Sequence, residues 1–130
     1  LEQSSSPHCR QLLRSDSVQV VWCLTHAEMI SALWRQYRGG LLTKPEVARA
    51  ESRLQLLSVR WTDVDAMLPV LESTERLLRV HRLRTADALQ LGAALLAVQE
   101  KPRRHAFVAL DKALLSAAEL EGFEAVCPGQ

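Results

Sequence analysis

Residues 86–98, "ADALQLGAALLAV", constrain the fold more than any other stretch of this chain. Ala and Leu dominate it, and both are strong helix formers. Wound as a helix, it is apolar on nearly every side. Such a helix is stable in water only when packed all round, so it demands layers of structure about it. A single carboxylate, Asp87, interrupts it in what would be the first turn.

The rest of the chain supplies those layers. Residues 18–24, "VQVVWCL", form a short run rich in β-branched residues and read as a buried strand. Residues 105–110, "HAFVAL", read as a second strand, and residues 123–126, "FEAV", as a third. "VRWTDV" is a short strand or an extended connection. Between them lie segments of helical spacing. Met29, Ile30, Leu33, Trp34 and Tyr37 mark a helix closed by Gly39-Gly40. Thr43 and Pro45 open another, with Val47, Leu54 and Leu57 on one side. Met67, Leu71, Thr74 and Leu78 mark a third, with Pro69 near its start. The buried helix reads as capped by Thr85, and residues 111–122, "DKALLSAAELEG", give a helix with Asp111 as N-cap and Gly122 past its end. "SSSPHCRQLLRS", residues 4–15, reads as a short helix with Ser6 as N-cap and Pro7 at its first position. Short apolar strands alternating with helices predict an α/β domain with a parallel sheet flanked by helices.

With 130 residues, a single domain covering 1–130 is expected. The net charge of +1 gives no global basic signature, so a nucleic-acid site would have to be a local patch. Cys9, Cys23 and Cys127 have no metal-ligand spacing and suit a reduced, cytoplasmic chain. No apolar run approaches the ~18 residues that span a bilayer.

Three acids share one setting. Glu28 and Asp111 each follow a strand at the start of a helix, and Asp87 lies in the first turn of the buried helix. In a parallel α/β sheet, strand C-termini and helix N-termini gather at one edge, where ligands bind. Glu28 and Asp111 are therefore expected at a common edge, with room for Asp87 beside them. Each also has a purely structural reading. Thr25-x-x-Glu28 has the form of a capping box, Asp111 is a preferred N-cap, and Asp87 suits the helix dipole. Convergence would decide for function, because carboxylates sharing a partly buried pocket need a cation, and hard oxygens select Mg²⁺ or Mn²⁺.

"HAEMISAL" with Glu28, "LRTADALQL" with Asp87, and "FVALDKALLSAAELEGFEAV" with Asp111 resemble, in that order, a PIN domain of the kind found in VapC-type toxins. The resemblance implies a PIN-like parallel sheet and a Mg²⁺- or Mn²⁺-dependent endoribonuclease. It implies a VapBC-type toxin–antitoxin pair, with RNA as substrate, a cognate antitoxin as partner, and a homodimer. Glu28, Asp87 and Asp111 then match the family's metal-binding acids, holding the ion and positioning the attacking water. One departure stands out. The family opens on a central strand ending in an Asp ligand, and "LEQSSSPHCRQLL" does not match it. The expectation is a sheet lacking its first central strand, in a chain that is N-terminally incomplete. The alternative is a catalytically inactive PIN-like module that binds RNA or protein. A third reading is an α/β scaffold whose three acids are only caps.

Arg35 and Arg38 follow Glu28 on its helix, and Arg84 precedes Asp87; these are the candidate RNA phosphate contacts. Trp34 and Tyr37 are candidates for a dimer or antitoxin interface. His8, His81 and His105 read as surface or loop residues.

Overall fold

The computed structural model describes residues 19–128. The helix expected over residues 4–15, with Cys9 and His8, lies outside them. The described chain runs β1 (Gln19–Trp22), α1 (Thr25–Arg38), α2 (Lys44–Ser58), β2 (Trp61–Val64), α3 (Met67–Val80), α4 (Thr85–Ala97), β3 (Ala106–Val108), α5 (Lys112–Glu121) and β4 (Glu124–Val126). Strands are separated by one or two helices, and Trp61–Val64 of "VRWTDV" form a strand. The strands at 105–110 and 123–126 are shorter than expected.

The strands do not join into one sheet among the described residues. β1 pairs with β2 in parallel, with Gln19 opposite Trp61 and Trp22 opposite Val64. β3 pairs with β4 in parallel, with Ala106 opposite Glu124 and Val108 opposite Val126. The fold is thus mixed α/β, with two small parallel pairs. The Trp61 indole donates across the first pair to Gln19 Oε1 at 3.1 Å.

Helix α4 is what the two pairs share. Its Ala88, Leu91 and Leu95 enter a core with Leu114, Ala117, Ala118 and Phe123, against which Phe107 packs. Its Ala93 enters a second core with Trp22 and Val70, against which Leu89, Leu96 and Val64 pack. Ala88 and Leu91 are wholly buried. The demand read from residues 86–98 is met by strands and helices on several sides.

Gly92 sets how closely α3 approaches α4. A Cβ at this position would lie 2.7 Å from Thr74 Oγ1 and 3.2 Å from the Val70 carbonyl oxygen. Thr74 is buried and satisfies its hydroxyl by donating to that same carbonyl at 2.7 Å. The buried stripe of α3 is Val70, Thr74 and Leu77, whereas Met67, Leu71 and Leu78 stay partly exposed. The expected stripe therefore runs along one flank of the buried face. Apolar residues occupy so many positions of α3 that the sequence leaves its phase open.

Two helix starts differ from expectation. The N-cap of α1 is Leu24, without a side-chain cap, so Thr25 is inside the helix and the Thr25–Glu28 capping box does not form. The N-cap of α4 is Arg84 rather than Thr85. A capping box does form at α2, between Thr43 and Glu46, as the residues opening that helix suggest. At the other end of the chain, Gly122 ends α5 in the left-handed conformation that favours glycine, with φ 109°. The link from α4 to β3 holds three non-glycine residues at positive φ, Gln99 at 55°, Glu100 at 59° and Arg104 at 71°.

Candidate functional site at the helix starts

The β1–α1 junction delivers Glu28 to the first turn of α1, half-buried. Its carboxylate does not cap its own helix. Glu28 Oε2 accepts from Gln90 Nε2 at 3.2 Å, which ties α1 to α4. Gln90 lies three residues beyond Asp87, so both project from the same side of α4. The structure thus ties the Glu28 carboxylate to Gln90 on α4. The sequence reading did not single out Gln90. Its i+3 spacing from Asp87 was the available signal.

Asp87 sits in the first turn of α4 and is only 13% exposed. Its Oδ2 accepts from Arg84 Nε and Nη2, each at 3.3 Å. A mostly buried carboxylate needs a positive partner, and here the neighbouring arginine supplies it. Arg84 therefore lies over the Asp87 carboxylate at the start of α4.

Asp111 behaves differently. It is the N-cap of α5, and Oδ1 accepts from the Leu114 backbone N–H at 2.9 Å. The capping role expected of it is present. Among the described residues, no three His, Cys, Asp or Glu side chains gather into a group that could hold a metal ion. The donor types at the α1 and α4 starts, two carboxylates and a carboxamide, are the hard oxygens that Mg²⁺ and Mn²⁺ take.

Arg35 and Arg38 lie in the last turn of α1, where they suit the helix dipole and face solvent. Glu28 is at the opposite end of that helix, so these arginines are not beside the acids. Trp34 and Tyr37 pack edge-to-face, centroids 5.5 Å apart, against the Leu33, Val47 and Ala50 core between α1 and α2. The Trp34 indole donates to Glu51 Oε1 at 2.6 Å, so its polar edge is already satisfied within the chain. An open groove of about 470 Å³ lies along the same helix pair, lined by His26, Ile30, Ala48, Glu51, Ser52 and Gln55. None of the three acids lines it.

His81 is not a loose surface residue. It is the C-cap of α3, its side chain is 8% exposed, and Nε2 lies 2.8 Å from Glu121 Oε2. Arg76 Nη1 and Nη2 donate to the two oxygens of the same carboxylate at 3.2 and 2.6 Å. The Arg76 guanidinium, followed by His81, holds the Glu121 carboxyl below the usual carboxylate range. Nothing in the sequence signals this cluster, because its members lie 40 and 45 residues apart.

Comparison with protein-family models, with curated proteins and with solved structures finds no match. No helix among the described residues is long and apolar enough to cross a membrane.

Proposed function

We propose that the chain is a PIN-like, Mg²⁺- or Mn²⁺-dependent endoribonuclease, the toxin of a VapBC-type pair. The observation that carries this reading is the Glu28–Gln90 bond, which ties Glu28 to the helix that carries Asp87. Gln90, the partner of Glu28, lies three residues beyond Asp87 on the same helix. The division into β1–β2 and β3–β4 among the described residues also supports it, since two parallel pairs flanking a further strand would be divided in this way.

In this reading Glu28 and Asp87 would contribute to holding the metal ion, while Asp111 caps α5 and gathers into no three-acid group among the described residues. A bound ion supplies an activated water and offsets charge on the phosphoryl group. The chain's own contribution is to fix the acids. Gln90 donates to Glu28 and leaves its second carboxylate oxygen available. The buried body of α4 anchors Asp87, and the Leu114 N–H orients Asp111. Arg84 provides a rim cation for the phosphate backbone. Cognate antitoxin, a second copy of the chain and a cytoplasmic setting belong to this reading.

The second reading is a catalytically inactive PIN-like module that binds RNA or protein. It is favoured by the absence of a three-acid group among the described residues and by the use of Asp111 as a cap. Calorimetric titration with Mn²⁺ separates the two, using the full chain and the Asp87→Asn/Asp111→Asn double variant. Asn caps helices as well as Asp, so the variant should fold. Binding by the native chain and none by the variant supports the nuclease, to be followed by RNA cleavage. A folded native chain that binds no Mn²⁺ supports the inactive module.

A further inference from the structure

Residues 101–105, "KPRRH", join α4 to β3 and hold Lys101, Arg103 and Arg104 with no acid among them. All three cations are exposed, and among the described residues none of their side chains has a hydrogen bond or ion pair. Arg76, Arg79 and Arg84 differ, since each lies beside a carboxylate. The backbone beneath the free cations is fixed. The His105 N–H donates to the Pro102 carbonyl at 2.9 Å, which closes a turn with Arg103 and Arg104 as its central residues. Pro102 packs against Gly122, where an added Cβ would lie 3.0 Å from the proline Cγ. The Glu124 N–H donates to the His105 carbonyl at 2.9 Å. Both ends of the turn are thus fastened to the corner between α5 and β4. Arg104 holds φ 71°. A turn with positive φ at its third residue favours glycine or asparagine there. An arginine in that place opposes the local preference, and such breaches concentrate at functional positions.

We propose that this turn binds the phosphodiester backbone of an RNA strand, with Arg103 and Arg104 each taking a phosphate and Lys101 adding to the local positive field. A guanidinium fork fits a phosphate in two parallel bonds. A turn already fixed at both ends loses little freedom on binding. The link offers no exposed apolar side chain to anchor a protein partner, because Pro102 is taken up by Gly122. It offers no aromatic platform for bases, so its contacts are to the backbone and indifferent to base sequence. Asp87 lies in the first turn of α4 and the link follows the last, so the 13-residue helix, roughly 20 Å long, separates them. The turn is therefore a contact for RNA apart from the helix starts. That the strand is RNA rests on the reading above; the phosphate contact needs no metal and serves the nuclease and the inactive module alike.

The test is fluorescence anisotropy of a labelled 2′-O-methyl oligouridylate, which is not cleaved, titrated with the full chain in EDTA over a range of salt. Circular dichroism shows that each variant is folded. Arg103→Gln/Arg104→Gln should weaken binding by roughly 5-fold per lost contact near 0.1 M salt, and the slope of log K against log salt should fall by about 1.4, as two single-strand phosphate contacts require. Arg49→Gln/Arg60→Gln removes the same charge from exposed positions elsewhere and should change affinity by less than about 2-fold, since distant surface charges are screened. Arg104→Gly should weaken binding by roughly 5-fold and yet raise the thermal midpoint, because glycine accepts φ 71° without strain. A turn with only a structural role would gain the stability and lose no RNA. Equal losses in the two double variants overturn the site in favour of diffuse attraction. Equal binding by the native chain and Arg103→Gln/Arg104→Gln overturns it as well, as does a native chain that binds no oligonucleotide. A polyglutamate peptide that binds as tightly, and is lost in the same variant, overturns the phosphate assignment. With metal excluded, failure here leaves the Mn²⁺ titration standing, and a chain that binds no Mn²⁺ is still expected to hold the oligonucleotide through this turn.

Discussion

The β1–α1 and β3–α5 junctions have the same strand-to-helix layout and spend their acids in opposite ways. At β3–α5, Asp111 bonds the backbone of the helix it begins. At β1–α1, Glu28 bonds a side chain of another helix. One position explains most of the contrast. Asp111 is the N-cap itself, where a short side chain reaches the free N–H groups of its own first turn. Glu28 is inside α1, because that helix begins on Leu24, and its own backbone N–H already bonds the Leu24 carbonyl. A longer acid in that place is free to reach outward. The junction that looks most like a cap holds its helix; the other holds two helices to one another.

Both junctions depend on α4, so the largest expected effect comes from disturbing its packing. Gly92→Ala should destabilise the fold by about 1–3 kcal/mol despite the better helix propensity of Ala, because the new methyl meets Thr74 and the Val70 carbonyl. Thr74→Ser in the same chain leaves that oxygen in place and should not rescue it; Thr74→Ala should rescue it in part, since the Val70 carbonyl stays. Thermal melts of the single and double variants check this.

The β3–α5 unit is also fixed at its far end, by Glu121. Glu121→Gln should cost about 1–3 kcal/mol near neutral pH, since it loses two charge-assisted bonds from Arg76 and one contact with His81. The folded-state pKa of Glu121 is lowered, so its contribution is fully present above the unfolded carboxyl pKa. It is lost as pH falls through the lower, folded value. Urea melts across the acid range should show native stability falling towards that of Glu121→Gln, with the two converging at the acid end.

The contrast between the junctions is sharpened by paired substitutions. Asp111→Ala should cost about 0.5–2 kcal/mol, whereas Asp111→Asn should stay within a few tenths, because either side chain caps. Gln90→Leu should cost about 0.5–1 kcal/mol, near the net worth of one partly buried hydrogen bond. If Gln90→Leu and Glu28→Leu are each costly and the double variant costs no more than either, the bond couples α1 to α4. Additive costs would show the two residues acting separately.

The elements were legible because their apolar periods are strong and their breakers lie in the right places, as Gly39 and Gly122 show. Asp111 was legible as a cap because capping is local. Glu28 was not, since moving the helix start by one residue turns an apparent capping box into an outward-facing acid. The pairing of strands was beyond the sequence: four short apolar runs state that they are buried, not which edges they share. The His81–Arg76–Glu121 cluster was hidden for the same reason, as were the contacts of Gln90.

The positive φ angles between α4 and β3 bear on how the chain tolerates change. Gln99 and Glu100 sit consecutively in left-handed conformations, held by backbone bonds to Leu96 and Leu95. Each carries a side chain that disfavours the geometry it is made to adopt. Gln99→Gly should therefore raise stability slightly, by up to about 1 kcal/mol, which denaturant titration can resolve. The short bridge between the buried helix and the second strand pair works against its own residues, and it leaves the protein with reserve that a single substitution can release.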